Sequence, residues 1–360
     1  MNKITKIFTL TSFLLISILS KGQEEFRIGE LSPYVSQYMS PFAKAMSISM
    51  SGGWAHTAKV HKTLGFDVSF SGSATNIPEN NYNLNTSELN MPKYNFSTIS
   101  TPTISGDNNA TPSEITREFN SSNIIPPLQF DAFKGLNIHY GGMLALQGAI
   151  GLPKGTEVIL RYIPNISSIT NNLIPSDVDI KLEPTGMWGV GVKHNIKQWI
   201  PVIKKVPFLQ ISGLLSYSKF YTGFSGNNLK ITPELLGATN NINENWDNQK
   251  FDINMSSFYG SLLFSANIPI FQPVIGIGFN SSYFEGGFKG NYPIVEIDMS
   301  DPNIYVVNKS EKDPLIIETR NTNFNFQAGA RLKLGVIVLN YMYTLQNYSM
   351  HTAGIAVTLR

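Results

Sequence analysis

The chain contains no cysteine, and that absence excludes disulfides, thiolate metal sites and cysteine nucleophiles together. Charge is scarce too. Asp, Glu, Lys and Arg make up 14% of the 360 residues, against about 25% in ordinary soluble domains. No run of like charge occurs, and a net charge of +2 leaves no electrostatic footprint for nucleic acid. Past the N-terminus no stretch reaches the roughly 18 consecutive apolar residues that mark a spanning helix. What is abundant instead is Gly, Asn, Ser, Tyr and Phe.

These residues are arranged with period two. In Phe324, Phe326, Ala328, Ala330, Leu332 and Leu334 one set of alternate positions is apolar, and Asn323, Asn325, Gln327, Gly329, Arg331 and Lys333 fill the other. After Gly335 the pattern resumes in Ile337, Leu339, Tyr341, Tyr343 and Leu345, and after Asn347 in His351, Ala353, Ile355, Val357 and Leu359. Apolar residues alternating with polar ones and glycine fit a wall with lipid on one side and water or a plug on the other. A last strand ending the chain suits a barrel that closes on its first strand.

Working back from residue 360 predicts ten such strands, with short turns at 152–156, 198–207, 269–272 and 334–336 on the periplasmic side. The long loops 75–133, 164–184, 223–249 and 288–321 then fall outside, as in outer-membrane barrels. Region 75–133 is a large surface loop or holds extra hairpins, with Tyr94–Ser100 and Glu114–Phe119 as weak strand candidates; such hairpins would raise the number to twelve or fourteen. The expected fold is all-β: a transmembrane antiparallel barrel of 10–14 strands over residues 63–360. A soluble β-sandwich or solenoid also alternates; the unequal turn lengths and the aromatics near strand ends, among them Trp188, Trp199 and Tyr162, weigh against it.

Residues 1–22 predict a secretory signal peptide: Lys3 and Lys6, an apolar run from Ile7 to Leu19, then Ser20-Lys21-Gly22. Its expected destination is the outer membrane of a Gram-negative cell. Residues 23–62 read differently from the wall. Leu31, Tyr34, Val35, Tyr38, Met39, Phe42, Ala43 and Met46 recur at helical spacing, with Ser32-Pro33 and Ser40-Pro41 each resembling a cap and first turn. One kinked or two short helices are expected over 33–48, either at a membrane surface or as a plug inside the barrel. Gly52-Gly53 and the segment Trp54, His56, Lys59, His61 and Lys62 mark the plug-to-wall junction, where the chain must turn sharply.

The Gly53-Trp54, Thr57-Ala58-Lys59, His61-Lys62 and Gly65-Phe66-Asp67 groups, with Gly151-Leu152-Pro153-Lys154-Gly155-Thr156-Glu157 and Arg161-Tyr162, resemble an uncharacterised family of Gram-negative outer-membrane proteins. More distantly, the layout is similar to the long-chain fatty-acid transporter barrels. That likeness implies an N-terminal hatch within a fourteen-stranded wall, and this sequence departs from it by showing ten strands.

On the predicted register Asp67, Glu157, Arg161, Lys193, Arg331 and Lys333 line the lumen. They read as a salt-bridge network bracing the plug, or as a polar lining that selects solutes. Five histidines occur, at 56, 61, 139, 194 and 351; only His56 and His61 are close, and their spacing favours a hydrogen-bonded structural pair over a metal site. No G-x-S-x-G motif is present, so no catalytic residue, metal or cofactor is expected. The expected function is transport or passive uptake of a small hydrophobic or amphipathic solute. The alternatives are a scaffold with a protein partner in the same membrane and, third, a hydrolase. The expected partners are outer-membrane lipid and the solute.

Overall fold

The computed structural model describes residues 25–117, 128–167, 171, 180–227, 230–297 and 304–359. The region read as a signal peptide, 1–22, lies outside them.

Ten strands form the wall: β1 Phe66–Asn76, β2 Tyr140–Leu152, β3 Thr156–Ile163, β4 Gly186–Asn195, β5 Leu209–Ser225, β6 Lys250–Ala266, β7 Phe271–Lys289, β8 Leu315–Leu334, β9 Ile337–Leu345 and β10 Met350–Leu359. Each pairs antiparallel with its neighbours in sequence, and β1 pairs with β10 from Phe66 opposite Leu359 to Thr75 opposite Met350. The ladder therefore closes as an up-and-down barrel with no free edge. A sandwich or solenoid is excluded by that closure.

Alternation sets the register. In β1, Phe66, Val68 and Phe70 are exposed while Asp67, Ser69 and Ser71 are buried. A one-residue slip would exchange the two sets, so the pattern holds the pairing in place. Short turns join the strands at one end, apart from the thirteen residues between β4 and β5, and Gly155 and Gly335 adopt the positive φ values (+67° each) that two of them need. The connections at the other end are long, apart from the four residues between β9 and β10.

The strand number is narrowed to the lower end of its range, and one expectation is corrected. The region 75–133 adds no wall strand among the described residues. Its strands pair with one another, Asn83–Asn85 with Ser100–Pro102 and Tyr94–Phe96 with Glu114–Arg117, itself paired with Leu128–Asp131. The wall therefore has ten strands, not twelve or fourteen. The region 288–321 is not simply a loop either: β7 runs on to Lys289, β8 begins at Leu315, and Asn291–Ile297 pairs with Tyr305–Lys312.

That extension makes the wall uneven. β5 to β8 have 17 to 20 residues each, whereas about 9–11 tilted residues suffice to cross a bilayer. Their outward faces show where the apolar belt stops. Along β7, Phe271, Ile275, Ile277 and Phe279 give way to Ser281, Glu285 and Lys289; along β8, Phe326 and Phe324 give way to Thr322, Arg320 and Glu318. Beyond the belt the polarity inverts. Phe284, Phe288, Leu315 and Ile317 now point inward and are buried.

The helical segment is one helix, α1, spanning Ser32–Ser49, and Pro41 lies inside it without ending it. Pro33 occupies the first turn, where its missing N–H costs nothing. Three faces of α1 meet different surroundings. The hydroxyls of Ser32, Ser36 and Ser40 bond the Pro314 carbonyl, the Ile316 carbonyl and the Thr319 hydroxyl at 3.2, 3.1 and 3.3 Å, their spacing of four placing them on one stripe. On a second face Tyr34 stacks on Phe133 and accepts its backbone N–H at 2.6 Å. The third face presents Val35, Met39, Phe42 and Met46 to the tall side of the wall.

Candidate functional site

An eight-stranded barrel is just wide enough for its own side chains to fill, and diameter grows with strand number. Ten strands leave space, and residues 47–61 fill it. They descend inside the wall and bond inward positions on six strands. Ser49 reaches Thr75 and the Gly141 carbonyl at 2.7 and 3.0 Å, Ser51 receives a bond from Asn280 at 3.3 Å, and Ala58 N–H donates to Ser265 at 3.1 Å. Ser47 meets Ser282, and His61 meets both Glu157 and Thr358.

Two buried clusters hold this inner segment. The first is built on Arg161 of β3, which is 2% exposed. Its guanidinium donates to the carbonyls of Met50 and Gly52 at 2.9 Å each and to Gln147, its cross-strand partner, at 3.1 Å. Met50 caps the C-terminus of α1, so the cation meets the negative end of the helix dipole. Its central carbon also lies 4.0 Å from the centroid of a Trp54 ring, a cation–π contact out of water. Trp54 in turn lies against Gly189 and Gly191 of β4: a Cβ at either would come within 2.9 or 3.1 Å of the indole. The sharp turn is made by Gly53 at φ +75°, while a Cβ on Gly52 would sit 2.1 Å from the Ser73 hydroxyl. Only glycine passes this close to the wall.

The second cluster lies nearer the short-turn end. Glu157, 1% exposed, and Lys193 are cross-strand partners on the inward face and pair at 2.7 Å. The other carboxylate oxygen receives the His61 backbone N–H at 2.9 Å and faces His61 Nδ1 at 2.8 Å. Asp67 sits 3.6 Å from His61 Nε2 and 3.7 Å from His56 Nε2. Arg331 donates to its cross-strand partner Gln272 at 3.0 Å. A buried pair with both carboxylate oxygens engaged balances its desolvation far better than an isolated charge.

Of the residues expected in the lumen, Asp67, Glu157, Arg161, Lys193 and Arg331 are inward and buried. Lys333 shares their parity but is exposed, because β8 ends at the residue after it. Lys59 and Lys62 are exposed near the same mouth, whereas Trp54 and His56 are buried. The expected link between His56 and His61 is indirect, through Asp67. Glu157 and Arg161 share a face without pairing with each other. Among the described residues no group of three His, Asp or Glu is disposed to hold a metal ion.

Above the clusters lies a feature that periodicity alone did not disclose. Between the third face of α1 and the inward faces of β5 to β8 is a cavity of about 370 Å³. Phe220, Phe251, Ile253, Met255, Phe284 and Ile317 give the wall side of this cup, and Phe42 and Met46 the helix side. Part of the signal for it was present in segments taken for loop, in Phe224, Phe288, Leu315 and Ile317.

The family profile for a family of unknown function (DUF6588) matches residues 1–359, and the chain belongs to that family. No curated protein matches the sequence. Among solved structures, the translocator domain of autotransporter NalP from Neisseria meningitidis is similar at 9% identity with a TM-score of 0.32, covering 92% of this chain and 99% of that one. Ail, the attachment invasion locus protein of Yersinia pestis, is 6% identical with a TM-score of 0.23, covering 82% and 98%. The Ralstonia pickettii toluene transporter TbuX is 9% identical with a TM-score of 0.19, covering 89% and 98%. Scores at this level bear on neither ligand nor activity, and the barrel stands on its own closed ladder.

Proposed function

We propose that this DUF6588 member is an outer-membrane barrel of a Gram-negative cell that takes up a small hydrophobic or amphipathic solute. The cup carries the reading: an apolar cavity beside α1, on the long-loop side of the outward belt. Concave apolar cavities of a few hundred Å³ are where small ligands bind. The long-loop end faces outside, as in other barrels, and the N-terminal segment 1–22 directs export.

In this scheme the solute enters between the long loops and lodges in the cup. Residues 31–62 act as a plug, and passage requires the part at 47–61 to shift. Arg161 and Glu157 are the wall groups that hold it closed. No catalytic step is involved, and no metal or cofactor takes part.

One observation favours a second reading. The lumen under the cup is filled and cross-bonded to six strands, which suits a non-transporting scaffold that binds a protein partner outside or in the membrane.

Whole cells separate the two. Intact cells exclude neutral hydrophobic fluorophores at the outer membrane. Expression of the protein is expected to speed their entry several-fold, and Ile253→Glu, at equal abundance in the membrane, to abolish the gain. Entry unchanged by expression would favour the scaffold.

A further inference from the structure

We infer that the cup selects uncharged apolar ligands and rejects anionic amphiphiles of the same size. The inference rests on the reading of the cup as the ligand site, and deepens it by naming the class. No Lys, Arg, Asp or Glu is present among the described residues that line it. The polar side chains on its surface are already engaged. The Tyr38 hydroxyl donates to the Lys134 carbonyl at 2.9 Å, and the Thr222 hydroxyl bonds that of Thr185 at 2.7 Å.

A carboxylate or sulfonate entering the cup would lose its hydration and meet no cation and no spare donor hydroxyl. Burial of an unpaired ion is far costlier than burial of the neutral body that carries it. A long-chain acid would therefore have to leave its head group outside. Below the cup the Arg161 guanidinium is held by the carbonyls of Met50 and Gly52 and by Gln147.

Size and texture narrow the class further. At about 370 Å³ the space is more than twice the roughly 150 Å³ of an apolar cavity that holds benzene. Two rings, fused or linked, fit that space. Met39, Met46 and Met255 line it, and thioether side chains re-pack around differing shapes. The cup thus suits a range of neutral hydrocarbon-like molecules instead of one ligand.

The test uses two fluorophores that share an anilinonaphthalene body. N-phenyl-1-naphthylamine is neutral; 8-anilino-1-naphthalenesulfonate carries one sulfonate. Saturable fluorescence is measured with the full barrel in nanodiscs, above empty nanodiscs of the same lipid. The neutral probe should bind at least about tenfold more tightly, a difference of about 1.4 kcal/mol. Ile253→Lys, which places a cation in the cup, should narrow or reverse that preference. Met39→Trp adds no charge and fills the cavity from α1, so it should abolish saturable binding of the neutral probe.

Equal or tighter binding of the sulfonate by the unaltered protein would overturn the class while leaving hydrophobic uptake standing. Saturable binding of neither probe would overturn both. Binding that neither variant changes would remove the site from the cup.

Discussion

Glu157 and Lys193 meet because Thr156–Ile163 and Gly186–Asn195 are hydrogen-bonded neighbours that place them opposite each other on the inward face. Loss of one member leaves a buried charge without its partner, which in buried pairs costs about 3–5 kcal/mol. Lys193→Met is therefore expected to destabilise the barrel by that order, and Lys193→Met combined with Glu157→Gln by markedly less. Urea unfolding in liposomes reads both. A second test concerns Trp54. Gly191→Val would drive a methyl into the indole and should cost about 1–3 kcal/mol, the range for overpacking a filled core, with a shift in Trp54 emission. Gly148→Ala, whose added methyl meets nothing closer than 3.9 Å, should be close to neutral.

Glu30 works at the same scale on the long-loop side. Arg117 donates to it twice, at 2.8 and 3.2 Å, and the Tyr94 hydroxyl donates at 2.7 Å. Burial pushes the Glu30 carboxyl up, but the bonds from Arg117 and Tyr94 outweigh that and hold it below its ordinary 4.5. With the folded value depressed, the stabilisation is present above the unfolded value and disappears as pH falls through the folded one. Proteolysis near residues 27–31 should therefore be unchanged from neutral pH down to about pH 5 and accelerate below the ordinary carboxylate range. Glu30→Gln should be susceptible at every pH.

At the scale of elements, the uneven strands decide where lipid ends. β7 has 19 residues, roughly 63 Å at about 3.3 Å per residue, which is too long for a bilayer of about 30 Å even when tilted. Ile277 lies within the outward apolar belt and Ser281 just past it on the same face. Ile277→Lys should cost about 2–4 kcal/mol, as lipid-facing cations do near mid-bilayer. Ser281→Lys should cost about 1 kcal/mol or less. Equal losses in folding equilibria measured in liposomes would mean that the belt extends further than its residue pattern shows.

The belt was legible in the sequence because lipid imposes period two with a fixed sign, apolar outward, on every strand that crosses it. Past Ser281 that sign reverses: Phe284, Phe288, Leu315 and Ile317 turn inward, so a search for one apolar face reads those stretches as loop. The inward charges were legible by parity, and Lys333 missed burial only because its strand ends there. The partners of Arg161 were not legible. Two of them are backbone carbonyls of Met50 and Gly52, which carry no side-chain signature. The contact of Trp54 with Gly189 and Gly191 depends on how far the inner segment descends, and spacing along the chain does not encode that depth.

For the whole molecule, the central relation is between a wall of ten strands and a chain segment that occupies its lumen. Residues 47–61 cross from α1 to β1 through a space that would otherwise hold water, and an apolar cup sits above them. On the proposed uptake route, opening means moving the inner segment while the wall persists. Planar-bilayer conductance tests this most directly, with the unaltered barrel compared to a variant lacking residues 31–61, each shown to be folded and inserted. The unaltered barrel should be electrically silent and the deletion should conduct. An open pore in the unaltered protein, or silence from an inserted deletion variant, would contradict a lumen closed by that segment.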